Sequence, residues 1–321
     1  MDIFILVLQK TLLYAAPLLI VALGGVFAER SGVINLALEG EMIFGAFIGA
    51  IFVYILQKNG VWIDHPQLTF LFALLVSATS GALFSLLLSF SAIKLRADQT
   101  IGGTALNMLA PAIVNTFGLV FFMQEKINMP ATFTGYVIIN GNLPGFLRVL
   151  FDKAYLSTFV IIIAFTLLSI WLYKSKIGTH MRACGEHPQA ADSVGINVHK
   201  MRYLGTTISG ALAGLGGYAY IATVANGTAE ATIGGMGFLA LAIMIFGNWN
   251  PIGIILGALM FGFLKCIGPL SSSIPFLQSA GLPLYFYNII PYIVVLIVLI
   301  LFRNKSGCPK AEGIPYDKGQ R

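Results

Sequence analysis

Long apolar stretches separated by short polar ones run along most of this 321-residue chain. A membrane-spanning helix needs about 20 consecutive apolar residues. The stretches that stand out cover residues 3–27, 32–56, 68–93, 101–122, 155–173, 204–224, 236–247, 251–269 and 284–302. The 236–247 stretch is too short to cross at about 1.5 Å per residue, which indicates a half-helix or part of a broken span. We therefore expect an all-α, polytopic integral membrane protein with about eight to ten transmembrane helices, some of them broken.

Composition agrees with this pattern. Hydrophobic residues make up 57% of the chain and charged residues only 10%, whereas soluble domains carry about 25% charged residues. A membrane β-barrel would show short alternating segments instead of long apolar ones. The first stretch has no basic region ahead of it and is too long for a cleavable signal, so we interpret it as the first span.

The net charge of +6 predicts an orientation rather than nucleic-acid binding, because the basic residues lie between the spans. If 94–100, 174–203 and 303–321 face the cytoplasm together with Arg30, that side holds 13 of the 19 Lys and Arg residues. The opposite loops hold Lys58, Lys126, Arg148 and Lys153. Basic loops stay on the cytoplasmic side.

Candidate chemistry is sparse. Cys184 lies between His180 and His187, but the paired spacing of a metal site is missing, so we predict no metal site and no disulfide framework. The sequence has no G-x-x-x-x-G-K-[ST] phosphate loop, no H-E-x-x-H and no G-x-S-x-G, so we expect no catalytic residues and no cofactor on this chain. All four histidines fall in predicted loops, which argues against a proton-coupled carrier.

The longest basic loop, 174–203, contains helix signals. Pro188 can open a helix because its missing N–H would have no partner there, and Gly195 can end it in a left-handed cap. We therefore predict a helix of about two turns over 188–194. Its small residues, Ala190 and Ala191, suit close approach to a partner. Spacing alone leaves docking on a partner and simple linkage of two spans equally open.

A family resemblance narrows this choice. The sequence GEHPQAADSVGI in the 174–203 loop strongly resembles the coupling loop of ABC importer permeases, which docks on the ATP-hydrolysing subunit. The likeness covers about residues 20–270 and points to the branched-chain amino acid, simple sugar and nucleoside group, most closely to purine nucleoside permeases. Lys265 and Cys266 depart from it, since they stand where plain apolar residues are expected. Four further motifs carry the resemblance, namely GVINLALEGEMIFGA, RADQTIGGTALN, GALAGLGGYAY and IFGNWNPIGIILGALMFG.

The resemblance implies a domain organisation and partners. Residues 1–321 would form one transmembrane permease domain, with a cytoplasmic coupling loop at 174–203 and a cytoplasmic C-terminal tail at 303–321. The partners would be a second related permease, two ABC ATPase subunits that bind ATP and Mg²⁺, and an extracellular substrate-binding lipoprotein. The coupling residues implied are Gly185, Glu186, His187, Pro188, Ala190, Ala191, Asp192 and Gly195.

Charges interrupt the apolar pattern at 29–41. Because successive helix residues turn about 100°, Glu39 and Glu41 would point to opposite sides and cannot form an acid/base pair. Asn35 and Glu39 would share a helix face and line a pathway, or Asn35 would cap the following helix. The alternative is structural: Glu29 and Arg30 form an ion pair at the membrane edge, and Glu39 is a buried hydrogen-bonding residue.

Two other asparagines are candidates. Asn107 is either a hydrogen-bonding residue between helices or a pathway residue, and Asn248 marks a break ahead of Pro251. The pathway candidates are therefore Asn35, Glu39, Asn107 and Asn248.

Short repeats suggest two duplicated halves. SGAL occurs at 80–83 and 209–212, and TIGG occurs at 100–103 and 232–235, with nearly equal offsets. Gly, Ala and Ile are common in this chain, so such matches also arise by chance.

Three functions stay open at this stage. The first is a nucleoside ABC importer permease, and the second is the same machine for branched-chain amino acids or simple sugars. The third is an ion-coupled carrier or a channel without an ATPase, against which the coupling-type loop argues. Few firmly placed charges lie in the membrane part, which favours an uncharged solute.

Overall fold

The computed structural model describes residues 2–129, 136–137, 149, 151, 154–279, 283–302 and 307–319. Some residues behind the predicted orientation and the predicted C-terminal tail lie outside the described ranges. They are Arg148, Lys153, 303–306 and 320–321.

Helices account for nearly all of the regular structure in the described ranges, which confirms the predicted all-α class. They are α1 (Asp2–Arg30), α2 (Leu38–Lys58), α3 (Pro66–Ser89) with a π-helical turn (Phe90–Lys94), α4 (Gln99–Phe122), α5 (Leu156–Lys174), α6 (Lys176–Glu186), α7 (Pro188–Ser193), α8 (Val198–Thr223), α9 (Met236–Phe246), α10 (Pro251–Leu270), α11 (Pro275–Ser279) and α12 (Leu284–Phe302).

Short antiparallel pairs connect the loops at one end of the bundle. Strand β1 (Ile127–Asn128) pairs with β4 (Thr228–Ala229), with Ile127 opposite Ala229. Strand β2 (Tyr136–Val137) pairs with β3 (Ala154–Tyr155). We call the other end of the bundle, which carries Arg30, the basic end.

Six helices of the described chain are long and apolar enough to cross a membrane, namely α1, α2, α3 with its π-helical turn, α4, α5 and α10. Helix α8 is 26 residues long but more polar, and α12 has 19 residues. The 236–247 stretch forms the 11-residue helix α9, as its length predicted. The chain is thus a multi-pass membrane protein, and α9 is a half-helix that reaches only about 17 Å at 1.5 Å per residue.

Two breaks interrupt the helices inside the bundle. The predicted span at 32–56 begins later than expected, because residues 31–37 are not helical and α2 starts at Leu38. Residues 224–235 are likewise not helical, so α9 starts only after the chain has passed from α8 through β4. Non-helical backbone at membrane depth is tolerated where protein buries it or where it lines a cavity. The broken helices were predicted correctly.

Helix α8 lies at the centre of the bundle, packed against α1, α2 and α3 through small residues. A Cβ atom added to Gly214 would overlap the Ser77 backbone oxygen and lie 3.1 Å from the Gly81 Cα. One added to Gly45 would overlap Gly214 itself. The apolar face of a helix gains little by leaving lipid, so close backbone packing must hold these helices together.

One of the short repeats lies within this packing. The two SGAL sequences lie on α3 and α8, and Gly81 of the first contacts Gly210 of the second. The TIGG sequences lie in unlike places, one in the first turns of α4 and the other just ahead of α9. The SGAL sequences therefore lie on two helices in contact, whereas the two TIGG sequences have no common place in the fold.

We predict that Gly214→Leu prevents normal folding, because the new side chain has no space against Ser77 and Gly81. Overpacking costs about 1–3 kcal/mol or more. The measurement is the thermal unfolding midpoint of the detergent-purified protein, which should fall, together with the monodisperse yield. Ala105→Leu is the control, since Ala105 is exposed on α4. An equal loss in both variants would contradict the packing argument.

Candidate functional site

Glu39 lies in the first turn of α2, where its carboxylate holds the start of α9. Its Oε1 accepts a hydrogen bond from the Gly235 N–H at 3.0 Å, and its Oε2 accepts one from the Gly237 N–H at 2.6 Å. The first N–H groups of a helix have no partner within the helix, and a negative charge there is favourable. Only glycine fits at 237, because an added Cβ would overlap the backbone of Glu39. Glu39 is therefore a buried hydrogen-bonding residue between two helix starts.

Asn107, on the neighbouring helix α4, forms hydrogen bonds with backbone groups at the start of α2. Its Oδ1 accepts the Gly40 N–H at 2.8 Å, and its Nδ2 donates to the Leu36 carbonyl oxygen at 2.6 Å. Of the two roles predicted for Asn107, the structure contains the interhelical hydrogen bonds. Their partners belong to the non-helical segment 31–37 and the first turn of α2, so Asn107 fixes the break itself.

Asn35 lies in that break and is completely buried. Its Nδ2 donates to both Glu41 carboxylate oxygens, at 2.9 and 3.2 Å, and lies 2.8 Å from Ser209 Oγ on α8. The predicted common face of Asn35 and Glu39 is wrong, because the helix begins only at Leu38. Asn35 is also not the N-cap residue of α2, although its Oδ1 accepts the Ala37 N–H at 3.0 Å.

Glu41 and Glu39 point to different partners, as the 100° turn per residue predicted. Glu41 faces Asn35, while Glu39 faces the start of α9. Asn35, Glu39 and Asn107 thus surround one place in the bundle, where α2 and α9 both begin. We call this place the junction.

The predicted ion pair between Glu29 and Arg30 does not form. Glu29 is buried and accepts the Trp249 indole N–H at 2.5 Å, whereas Arg30 Nη1 lies 3.5 Å from Glu186 Oε1. Asn248 is exposed, has a positive φ of 53° and accepts the Gly307 N–H. It lies at the basic end of α9, apart from the junction.

The predicted helix at 188–194 is present as α7 (Pro188–Ser193), with Pro188 in its first turn. Gly195 follows it with a φ of +86°, which glycine adopts without strain. His187 makes the corner between α6 and α7. The two helices and their corner, residues 176–195, form what we call the elbow.

The two alanines of α7 face opposite ways. Ala191 is buried in a small cluster with Cys184, Val198 and Tyr316, whereas Ala190 is exposed. Burial raises the pKa of the Cys184 thiol to about 11, so this cysteine stays protonated at neutral pH. The outward surface of the elbow carries His187, Gln189, Ala190, Ser193, Val194 and Gly195.

The described part of the C-terminal segment, 307–319, covers the inner side of the elbow, which sequence reasoning missed. The Ala311 N–H donates to the Gly185 carbonyl oxygen at 2.9 Å, and Arg202 Nη1 donates to the Ile314 carbonyl oxygen at 2.9 Å. Asp317 lies 2.8 Å from Arg96, and Lys318 lies 4.0 Å from Asp192 of the elbow. The segment has no periodic pattern that would have revealed these contacts.

Comparison with known proteins gives a family and full-length relatives. The family model described as "Branched-chain amino acid transport system / permease component" matches residues 7–299. The guanosine ABC transporter permease protein NupQ of Bacillus subtilis is 41% identical, over 98% of both chains. The nucleoside ABC transporter permease protein NupC of Lactococcus lactis is 38% identical, over 98% of both chains.

A more distant relative is the guanosine ABC transporter permease protein NupP of Bacillus subtilis. It is 25% identical, over 90% of this chain and 80% of its own. No solved structure matches the chain.

We predict that Asn107→Ala destabilises the protein, because it leaves the Gly40 N–H and the Leu36 carbonyl oxygen without their partner. A buried polar group left unpaired costs about 1–3 kcal/mol. The thermal unfolding midpoint in detergent should fall accordingly. Asn115→Ala removes an exposed amide from the same helix and should change the midpoint little. The capping role is refuted if the Asn115 variant unfolds as early as the Asn107 variant.

Proposed function

This chain belongs to the family of branched-chain amino acid transport system permease components, and from that membership we propose that it is the membrane-spanning permease subunit of an ATP-driven importer for nucleosides. The observation that carries the cargo assignment is the likeness, over nearly the whole of each chain, to two permeases named for guanosine and for nucleosides. The chain itself catalyses no reaction in this proposal.

The proposed assembly contains two ATPase subunits that bind ATP and Mg²⁺, a second related permease and an extracellular substrate-binding lipoprotein. The missing phosphate loop supports ATP binding on other subunits. Bacillus subtilis has two distinct guanosine permeases among the relatives, which supports a pair of unlike permeases.

The elbow is the proposed contact with an ATPase subunit. Its outward surface offers the small side chain of Ala190, which suits a helix lying in a groove. Its inner side contacts two long helices of the bundle. Glu186 contacts Arg30 at the end of α1, and Ala191 packs on Val198 at the start of α8. A push on Ala190 therefore moves α7 together with α1 and α8 rather than bending a loose loop. Different contacts of the ATPases in their open and closed states would shift the permease between conformations.

We propose that the junction forms part of the translocation route. Helix starts and unwound backbone at membrane depth are where transporters of several folds bind their solutes. Asn35, Glu39 and Asn107 belong to this part of the route, and Asn248 would meet the solute at the basic end of α9. Because Asn35 and Ser209 connect the break to α8, movement of α8 reaches the junction directly.

For coupling, we predict that Ala190→Trp abolishes uptake while the protein still inserts and folds, because the indole blocks close approach on the outward surface of the elbow. ATP hydrolysis by the purified complex should no longer respond to the loaded binding protein. Ala191→Trp cannot serve this purpose, since Ala191 is buried against Cys184.

Two controls accompany the coupling variant. Ala190→Ser keeps a small side chain and should transport normally. Leu95→Trp places an indole on another exposed position near the basic end, where Leu95 is 63% exposed, and should also transport normally. Normal uptake by Ala190→Trp would move the docking site elsewhere.

For the cargo, we predict that cells lacking the gene lose uptake of labelled guanosine and other nucleosides and regain it from a plasmid copy. Uptake of labelled ribose and leucine should not change. Loss of leucine uptake alone would reject the nucleoside assignment while keeping the importer, and no loss of any uptake would reject the importer.

A further inference from the structure

Lys265 is a charged residue within an otherwise apolar span, and the proposed function above assigns it no role. It lies on α10, which begins at Pro251, so it is about 21 Å along the helix at 1.5 Å per residue. A lysine at membrane depth is costly unless it meets polar groups or water, and such residues usually mark a pathway.

The ammonium group of Lys265 is held by two polar partners. Its Nζ donates to the Gly234 carbonyl oxygen at 3.1 Å and to the Tyr292 hydroxyl oxygen at 3.0 Å. The Tyr292 hydroxyl in turn donates to the same Gly234 oxygen at 2.8 Å. The ammonium also lies 4.9 Å from the centre of the Tyr292 ring, a cation–π distance.

These partners show that Lys265 does not simply extend to the membrane surface, as many lysines near helix ends do. Tyr292 is eight residues into α12, about 12 Å from the start of that helix at Leu284. The ammonium is therefore held at depth, against the break ahead of α9.

The group is also accessible. Tyr292 is 41% exposed, and Gly234 is exposed as well. A Cβ atom added to Gly234 would meet only the Tyr220 hydroxyl, 3.7 Å away. The Lys265 ammonium and the hydroxyls of Tyr292 and Tyr220 would be costly to expose to hydrocarbon. The space beside Gly234 is therefore one that water or a polar solute fills.

A single peptide connects this group to the junction. Gly234 accepts from Lys265 through its carbonyl oxygen, while the next residue, Gly235, donates its N–H to Glu39. Both glycines have positive φ, 63° and 73°, which lets the chain turn sharply between the ammonium and the carboxylate. A ligand that displaces Lys265 from Gly234 therefore acts on the start of α9 and, through Glu39, on α2.

We propose that Lys265 and Tyr292 form a cargo-binding subsite of the translocation route that takes the base of a nucleoside. The inference rests on the proposed function and assigns recognition to two residues outside the predicted pathway set. An ammonium has three N–H donors, and two of them are used, so one is free for a carbonyl oxygen or a ring nitrogen of the base. The ring of Tyr292, which is 41% exposed, offers an aromatic surface on which a base can stack.

The first test measures transport kinetics in proteoliposomes that contain the complete importer. Lys265→Met should raise the KM for guanosine about tenfold or more, because a charged hydrogen-bond donor to the base is lost. Tyr292→Leu should also raise it, because the aromatic ring on which the base stacks is lost. ATP hydrolysis without cargo should stay unchanged. Lys58→Met removes an exposed ammonium at the end of α2, and it should leave the KM for guanosine unchanged. An unchanged KM in the Lys265 and Tyr292 variants overturns the subsite.

The second test remains valid if Lys265→Met does not fold. Lys265→Cys is introduced after Cys184, Cys266 and Cys308 have been replaced by alanine, and a charged, water-soluble thiol reagent is applied. We expect labelling that saturating guanosine slows and leucine does not. Phe263→Cys is the matched control on the same helix, because Phe263 is 45% exposed in an apolar setting and should not be labelled.

The outcomes separate the two proposals. If the unaltered importer takes up no nucleoside, the proposed function fails. If it takes up guanosine but Lys265→Cys is unlabelled, or labelled without protection by guanosine, only the subsite fails. Protection by leucine instead of guanosine would reject the subsite's assignment to the base of a nucleoside.

Discussion

The contact between the Glu39 carboxylate and the start of α9 is the interaction on which the interior of this protein depends. Two helices begin inside the bundle, and each start presents N–H groups with no partner in their own helix. Left unpaired in a membrane, each such group would cost several kcal/mol. Glu39 accepts hydrogen bonds from these N–H groups at the start of α9, and Asn107 accepts one at the start of α2. Beside these two starts, Asn35 connects Glu41 of α2 to Ser209 of α8.

The helices around the junction are held close together by the glycine contacts of α8. Backbone touches backbone at Gly45, Gly81 and Gly214, so α2, α3 and α8 have little freedom to separate. Helix α8 begins next to the elbow and passes the junction at Ser209. The same helix therefore joins the surface proposed to meet the ATPase to the place proposed to meet the solute.

Local signals in the sequence predicted local structure well. The apolar stretches gave the long helices and the half-helix at 236–247, and Pro188 with Gly195 gave α7 to within a residue. At the start of α2 the prediction failed: Asn35 was placed on the face of Glu39 because 32–56 was interpreted as one helical stretch, yet the helix begins at Leu38. The start of α2 is stabilised by Asn107, which lies 67 residues away from Gly40 in the chain. The sequence around Gly40 therefore contains no local signal for this helix start. The Glu29–Trp249 contact, across 220 residues, was hidden for the same reason.

The covering of the elbow by residues 307–319 has a consequence for biogenesis. Arg202, at the start of α8, and Ile314 are 112 residues apart in the chain, so the ribosome makes the elbow long before it makes the segment that covers it. During that interval Cys184 and Ala191 lack their contact with Tyr316, and the Gly185 carbonyl lacks its Ala311 partner. The contacts that cover the inner side of the elbow therefore form only after every span has been translated.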